Sequence, residues 1–236
     1  MKEKLFPIFI LVAIMLASAS PVLAAIGCTL TNPAQDLKFL YPEVTSFKEE
    51  VKEFRMFNEG QVLYEKLRSR LGGDLDPVYE SYDTPFTVYR VFNGNDLIGI
   101  VHGVNIPGAG GVIQLFLATD PTNGQIRQFF FQRLESQISR YLRQKGFRES
   151  FKELTLADFY MNDYFKFADP ENSADKLGKI RPTIPDGVDR SDYYATLRGL
   201  RKNLILLDFF VYGQMNEKFH LRAQELLQSQ QQGKEN

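Results

Sequence analysis

Apolar and polar residues alternate most clearly in the middle of the chain. Residues 86–92 (FTVYRVF) are rich in β-branched and aromatic side chains, and residues 97–104 have the same character after the pair Asn93-Gly94. An Asn-Gly pair between two such stretches is a strong signal for a hairpin turn. Two further apolar stretches, 112–119 and 125–131, are separated by the turn sequence DPTNG. Short turns between successive strands predict an antiparallel meander of about four strands.

Helical periodicity flanks the meander on both sides. Asn32-Pro33 predicts the start of a short helix, because Asn caps helices and Pro suits the first helical position. Apolar residues spaced i, i+4, i+7 and i+8 predict a helix that begins near Leu134 and ends at Gly146. A final helix, buried on most sides, is predicted to begin near Ser191 or Asp192. The predicted fold class is therefore α+β, with the meander packed against helices and a long C-terminal helix.

The segment before the meander gives a mixed signal. Phe47 and Val51 fit a strand and a helix equally well, so residues 46–57 are ambiguous. We predict a helical lead-in at 28–85, an α+β domain at 86–227 and a flexible, Gln-rich tail at 228–236.

Residues 1–27 have the pattern of a secretory signal peptide: Lys2 and Lys4, an apolar core, then small residues. The apolar core is shorter than the roughly 20 residues that a membrane span needs. Two cleavage sites are open. Cleavage after Ala24 would release a soluble protein with a free thiol. The sequence AIGC resembles a lipobox, and cleavage before Cys28 would leave a lipid-bearing N-terminus.

Composition narrows these alternatives. Cys28 is the one cysteine among 236 residues, which excludes an internal disulfide and a thiolate zinc site. An odd cysteine in an oxidising compartment is a liability unless it is modified. Acylation of Cys28 is therefore the favoured prediction, and it places a lipoprotein on the periplasmic or cell-surface face of a membrane. The net charge of −1 argues against a nucleic-acid partner.

Few motifs point to catalysis. The sequence has no GxSxG, HExxH, Walker loop or CxxC, and no nucleophile has an evident base, so we predict neither a catalytic residue nor a metal site. The glycine-rich residues 108–111 precede a strand instead of a helix, which excludes a dinucleotide fingerprint. His102 is expected in the core. A run of basic residues predicts either a solvated helix face or an anion site, and it comprises Arg133, Arg140, Arg143, Lys145 and Arg148.

From Gly111 onward the sequence resembles the FMN-binding domain family. The matching segments are GVIQLFLATD at 111–120, NGQI at 123–126 and QRLES at 132–136. The family includes the flavin-carrying subunits of the Rnf complex and of the sodium-translocating NADH:quinone reductase. It has a Gly-led strand, a D-x-x-G-x-I turn and an E-T pair, and Glu135-Ser136 stands where that pair would. The resemblance covers roughly 86–207, about half of the chain.

The family's flavin-attachment motif has a degenerate counterpart. In the family, the Thr of an S-G-A-T motif bears FMN through a phosphoester bond. Here Ala195-Thr196 matches the second half, whereas Tyr193-Tyr194 replaces the Ser-Gly half. A bulky Tyr where the family has Gly implies FMN that is not covalently held. The resemblance then implies a cofactor site that consists of Thr196, Ala195, Glu135, Ser136 and Arg198.

Two functions follow from these observations. The resemblance implies an exported, membrane-tethered, FMN-binding-like protein that serves electron transfer, with membrane-associated redox or assembly proteins as partners. The lipid bilayer would be a further partner through acylated Cys28. The alternative is a cofactor-free lipoprotein of the same fold that acts as a binding or assembly module. The pair Tyr193-Tyr194 and the lack of a catalytic constellation support this alternative.

Overall fold

A five-stranded antiparallel sheet organises the fold. The computed structural model describes residues 28–162 and 187–232. Successive strands are neighbours throughout, in the order β1-β2-β3-β4-β5. The strands are β1 (Ser46–Lys52), β2 (Phe86–Asn93), β3 (Asp96–Gly108), β4 (Gly111–Thr119) and β5 (Ile126–Arg133). The predicted α+β class and the antiparallel meander are confirmed.

Strand β1 settles the ambiguous segment and raises the strand number from about four to five. It pairs with β2, with Ser46 opposite Phe92 and Lys52 opposite Phe86. Its two large apolar residues, Phe47 and Val51, are 39% and 45% exposed. An edge strand with little buried surface has no reason to show a strong alternation of apolar and polar residues. The lead-in predicted as helical therefore contributes a strand to the sheet.

Seven α-helices occur in the described ranges 28–162 and 187–232. They are α1 (Pro33–Leu40), α2 (Gly60–Leu71), α3 (Ser139–Leu142), α4 (Lys145–Glu149), α5 (Leu156–Met161), α6 (Ser191–Phe210) and α7 (Glu217–Gln232). The side chain of Asn32 accepts a hydrogen bond from the Gln35 N–H and caps α1, as predicted. Helix α6 begins at Ser191, also as predicted. Helix α7 extends into the predicted tail as far as Gln232, and residues 233–236 lie outside the described residues.

The single helix predicted between Leu134 and Gly146 is wrong. Strand β5 ends at Arg133 and no helix begins before Ser139, α3 is only one turn long, and Gly146 lies inside α4 instead of ending a helix. Leu134, Ile138 and Leu142 are nevertheless buried. The apolar spacing of these residues therefore reflects their burial. It does not require that they lie on one continuous helix.

The two faces of the sheet are covered by different parts of the chain. Helix α6 packs along β3 and β4 on one face. On the other face, the Tyr41 hydroxyl donates to the Thr119 carbonyl oxygen at 2.8 Å, and the Leu30 N–H donates to the Tyr89 hydroxyl at 3.0 Å. A Cβ atom on Gly99 would lie 2.0 Å from the Tyr41 ring. The segment from Cys28 to Tyr41 is thus an integral layer of the fold.

Candidate functional site

The predicted cofactor residues lie near the start of α6 but do not line one cavity. Glu135 and Ser136 line a cavity of about 380 Å³ at the β3–β4 turn. Arg198 instead borders a separate cavity of about 140 Å³. Ala195 and Thr196 are buried. The structure therefore brings Glu135 and Ser136 together and places Arg198 elsewhere.

The Thr196 hydroxyl is already engaged in the core. Its Oγ1 donates to the main-chain oxygen of Asp192 at 2.8 Å, one helical turn earlier. The side chain is completely buried. Tyr193 is buried beside it, and its ring centroid lies 5.9 Å from that of Phe147. A phosphoester at Thr196 would require this hydroxyl to break its hydrogen bond and leave the core.

The cavity at Glu135 is acidic. Asp192 Oδ1 accepts a hydrogen bond from the Ala109 N–H at 2.7 Å, which ties the β3–β4 turn to α6. Asp189 accepts from the N–H and the hydroxyl of Ser191 at 2.9 and 2.7 Å. Both carboxylates line the cavity with Glu135, and no Lys or Arg is among its described lining residues. A phosphate would meet like charges here, so these residues do not fit the phosphate of FMN.

Packing explains the glycine-rich turn. A Cβ atom on Gly110 would lie 2.0 Å from the main-chain oxygen of Glu135. Gly111 has φ of +126°, which side-chain-bearing residues rarely adopt. The bare backbone of this turn approaches another backbone segment and needs no ligand to account for it.

His102 is a core residue, as predicted. It is 1% exposed, and its Nδ1 lies 2.9 Å from Asn203 Oδ1 on α6. Asn203 Nδ2 donates to the His102 carbonyl oxygen at 2.9 Å, so the two residues satisfy each other. Burial lowers the pKa of His102 to about 4, which leaves the imidazole neutral at physiological pH.

Two basic residues of α6 are neutralised by carboxylates. Arg201 Nε lies 2.6 Å from Asp74 Oδ2. Lys202 Nζ lies 2.9 Å from both oxygens of Glu80, and both side chains are 2% exposed. No local pattern in the sequence predicts these pairs, because their members are 127 and 122 residues apart. Their cations are bound within the fold and are not available as an anion site.

A third buried pair joins α2 to α6 and was also missed. Arg70 Nη2 lies 2.7 Å from Asp208 Oδ2, in an orientation that does not make a hydrogen bond. The guanidinium carbon of Arg70 also lies 4.9 Å from the Phe209 ring centroid. Asn216 Nδ2 donates to the other Asp208 oxygen at 3.0 Å. Arg70 on α2 and Asp208 on α6 therefore face each other inside the core, with Asn216 bound to the second carboxylate oxygen.

The remaining basic run separates into two sets. Arg133 pairs with Glu135 at 2.8 Å, Lys145 pairs with Glu149 at 3.6 Å, and Arg140 covers the ring of Tyr141. These three residues are exposed, but they lie on β5, α3 and α4 and so do not form the single solvated helix face that one of the two predictions describes. Arg143 and Arg148 instead converge on a groove of about 350 Å³ between α1, β5 and α4. We call this the arginine groove; its walls include Asp36, Phe39, Phe130, Phe131, Arg143 and Arg148.

The Cys28 thiol is buried against the sheet. Cys28 is 6% exposed and belongs to the same apolar cluster as Leu30, Tyr41 and Phe116. Burial raises the pKa of this thiol to about 12. The predicted signal peptide at 1–27 lies outside the described residues.

Within 28–162 and 187–232, no helix combines the length and apolarity required to cross a membrane. In the same residues, no group of three or more His, Cys, Asp or Glu side chains could hold a metal ion. No protein-family model, curated protein or solved structure matches this chain. The resemblance to FMN-binding domains therefore stays a prediction.

Proposed function

We propose that this protein is a cofactor-free binding module whose fold resembles that of FMN-binding domains. The observation that carries the proposal is the state of Thr196: its hydroxyl is buried and donates to the Asp192 carbonyl oxygen. The position that would bear the flavin phosphate acts instead as a core contact of α6. The acidic cavity beside it supports the same conclusion.

Phosphate recognition needs free donors, and the donors near the start of α6 are occupied. Helix N-termini attract phosphate through unpaired backbone N–H groups. Here Asp189 accepts from the Ser191 N–H, and the Arg190 carbonyl oxygen accepts from the Tyr193 and Tyr194 N–H groups. These acceptors engage three backbone donors of the helix start without a cofactor.

We propose that the module acts outside the cytoplasm as a released protein. The signal-peptide pattern at 1–27 supports export. The burial of Cys28 supports cleavage after Ala24, because an acyl chain on that sulfur would have to pass out of the apolar cluster. Leu30 is buried and α1 begins at Pro33, so no spacer separates this thiol from the packed fold. Partners would then be proteins or small molecules of the exported compartment.

An absorption spectrum tests the absence of flavin. The full chain is produced with its own leader in a flavin-replete bacterium, purified from the exported fraction and then titrated with FMN under fluorescence detection. We expect colourless protein and no quenching of FMN fluorescence. Yellow protein that loses its colour in Thr196→Val, but not in the control Thr31→Val at an exposed site, would overturn the proposal and restore electron transfer.

The mass of the mature protein tests the released form. We expect a chain that begins at Ala25 and carries an unmodified cysteine. A diacylglyceryl group on Cys28, found in the membrane fraction and lost in Cys28→Ser, would contradict release and establish the lipoprotein.

A further inference from the structure

The arginine groove combines an exposed aromatic surface with unneutralised positive charge. Phe39 on α1 is 51% exposed, and its ring centroid lies 6.0 Å from that of Phe130 on β5. The groove volume of about 350 Å³ lies in the range typical of small-molecule sites. An aromatic wall open to water at a concave place is a feature that a ligand could cover.

The two guanidinium groups have few hydrogen-bond partners within the fold: Arg143 is exposed, whereas Arg148 is half-buried. Arg143 Nη1 donates to the Phe131 carbonyl oxygen at 2.9 Å, and Arg148 Nη1 makes a long 3.5 Å contact with the Phe129 carbonyl oxygen. Arg148 Nε is buried and has no hydrogen-bond partner. No carboxylate in the described part of the chain forms an ion pair with either arginine. A buried donor without an acceptor is unfavourable, and a ligand oxygen would relieve it.

Contacts with β5 use only some of the hydrogen-bond donors of Arg143 and Arg148. Each arginine offers five N–H donors, and the edge-strand carbonyls engage one donor from each. Partial burial and, to a smaller extent, the neighbouring positive charge of Arg148 lower the pKa of Arg143. Two like charges held close together are destabilising unless an anion lies between them. Arg133 and Lys145 have carboxylate partners, whereas Arg140, Arg143 and Arg148 each lie over an aromatic ring; of these five, Arg143 and Arg148 are the two that line the groove.

The charges that surround the groove define the anion that fits. Asp36 also lines the groove, and its Oδ2 accepts from the Asn32 N–H at 3.2 Å. Two guanidiniums and one carboxylate leave a single net positive charge. A monoanion neutralises that charge, whereas a phosphate dianion would exceed it and repel Asp36. A carboxylate also matches the planar fork of Arg.

We propose that the arginine groove binds a monocarboxylate with an apolar alkyl or aryl body. The carboxylate lies between Arg143 and Arg148 and accepts from Arg148 Nε, and the apolar body covers Phe39 and Phe130. This inference deepens the proposed function and rests on it, since it names the ligand class that the binding module takes.

Calorimetric titration of the purified full chain tests the groove. The probes are octanoate and 3-phenylpropionate, with 1-octanol and inorganic phosphate as head-group controls. We expect both carboxylates to bind and both controls to fail. The relative affinity of the two carboxylates shows whether the groove prefers a ligand with an alkyl body or one with an aryl body. In Arg143→Gln/Arg148→Gln, we expect affinity to fall by about tenfold or more for each arginine.

A matched control separates the groove from general positive charge. Arg133→Gln/Arg140→Gln removes two cations of the same basic run that do not line the groove, and it should leave carboxylate affinity unchanged. Phe39→Ser keeps both arginines but removes the exposed aromatic wall, including the ring that lies 5.5 Å from the Arg148 guanidinium carbon, and we expect it to weaken octanoate binding. Thermal melts of all three variants establish that they fold.

Several results overturn the inference. They are the absence of carboxylate binding, octanol binding as tight as that of octanoate, preference for phosphate, or equal affinity in the groove variant and the control variant. The flavin test is independent of these results. Colourless protein that binds no carboxylate removes the groove proposal and leaves the cofactor-free module. Yellow protein that binds carboxylates through the two arginines removes the cofactor-free module and leaves the groove proposal.

Discussion

Lys202 and Glu80 form an ion pair in the core, with Lys202 Nζ 2.9 Å from each carboxylate oxygen. The Asn105 carbonyl oxygen, 3.0 Å away, is a third acceptor for the ammonium group. The pair fastens α6 to the segment that precedes β2. Because both side chains are 2% exposed, neither charge can turn to water if its partner is lost.

We expect Lys202→Met to lower the free energy of unfolding by about 3–5 kcal/mol, because it leaves the buried Glu80 charge unpaired. Urea denaturation measures the change. The control is Lys145→Met, which removes an exposed partner of Glu149 and should cost about 0.5 kcal/mol or less. The double variant Lys202→Met/Glu80→Gln should be more stable than Lys202→Met alone. Equal losses in Lys202→Met and Lys145→Met would contradict a buried pair.

His102 makes stability depend on pH in a defined window. Its pKa is about 4 in the fold and near 6.5 in the unfolded chain, so between these values the unfolded chain binds the extra proton. The free energy of unfolding should therefore fall as pH decreases from 6.5 to 4, by about 3 kcal/mol at most. Urea denaturation of the wild type and His102→Gln at several pH values measures this contribution. Parallel curves for the two proteins across that window would show that the imidazole is accessible to protons.

Gly99 provides a test of how the N-terminal segment docks on the sheet. We expect Gly99→Ala to destabilise the protein by about 1–3 kcal/mol, because the new Cβ atom would overlap the Tyr41 ring. Thermal unfolding measures the loss. Gly146→Ala is the matched control: nothing lies near a Cβ atom there, and Ala favours the helix. If Gly99→Ala were as stable as Gly146→Ala, Tyr41 could not lie where the structure has it.

The Cys28 thiol should resist alkylation in the folded protein. Burial blocks access to the sulfur, and the pKa of about 12 leaves almost no thiolate near neutral pH. Mass spectrometry after iodoacetamide treatment should show no adduct under native conditions and one adduct in guanidinium chloride. Ala34→Cys in a Cys28→Ser background is the exposed control and should react without denaturant. Rapid native labelling of Cys28 would mean that this segment leaves the sheet.

Local signals in the sequence predicted the elements that have strong local causes. The β-branched stretches gave β2 to β4, and the cap at Asn32-Pro33 gave α1. The apolar stripe beyond Ser191 gave α6. Strand β1 was not predicted, because an exposed edge strand pairs through its backbone alone. Its residues therefore need not alternate between apolar and polar. The ion pair of Lys202 with Glu80 escaped because burial of a charge depends on residues far away in the sequence.

The arginine groove shows why a site can lie beyond sequence patterns. Arg143 and Arg148 are five residues apart, and on one continuous helix they would point about 140° away from each other. In the structure the two arginines do not share a continuous helix, since α3 ends at Leu142 and α4 begins at Lys145, and both side chains line the same groove. The basic run was visible in the sequence. The division into three cations outside the groove and two that converge on it required the three-dimensional fold.

The N-terminal layer also determines when the fold can close. Leu30 can form its hydrogen bond only after Tyr89 has been synthesised, and Tyr41 only after Thr119. The Thr31 N–H needs Gln132, which is 101 residues later in the chain. Contacts between such distant residues slow folding. A ribosome or an export channel that delivers the chain from its N-terminus must supply β5 before this layer has its complete surface. The residues that emerge first are therefore among the last to reach their final positions.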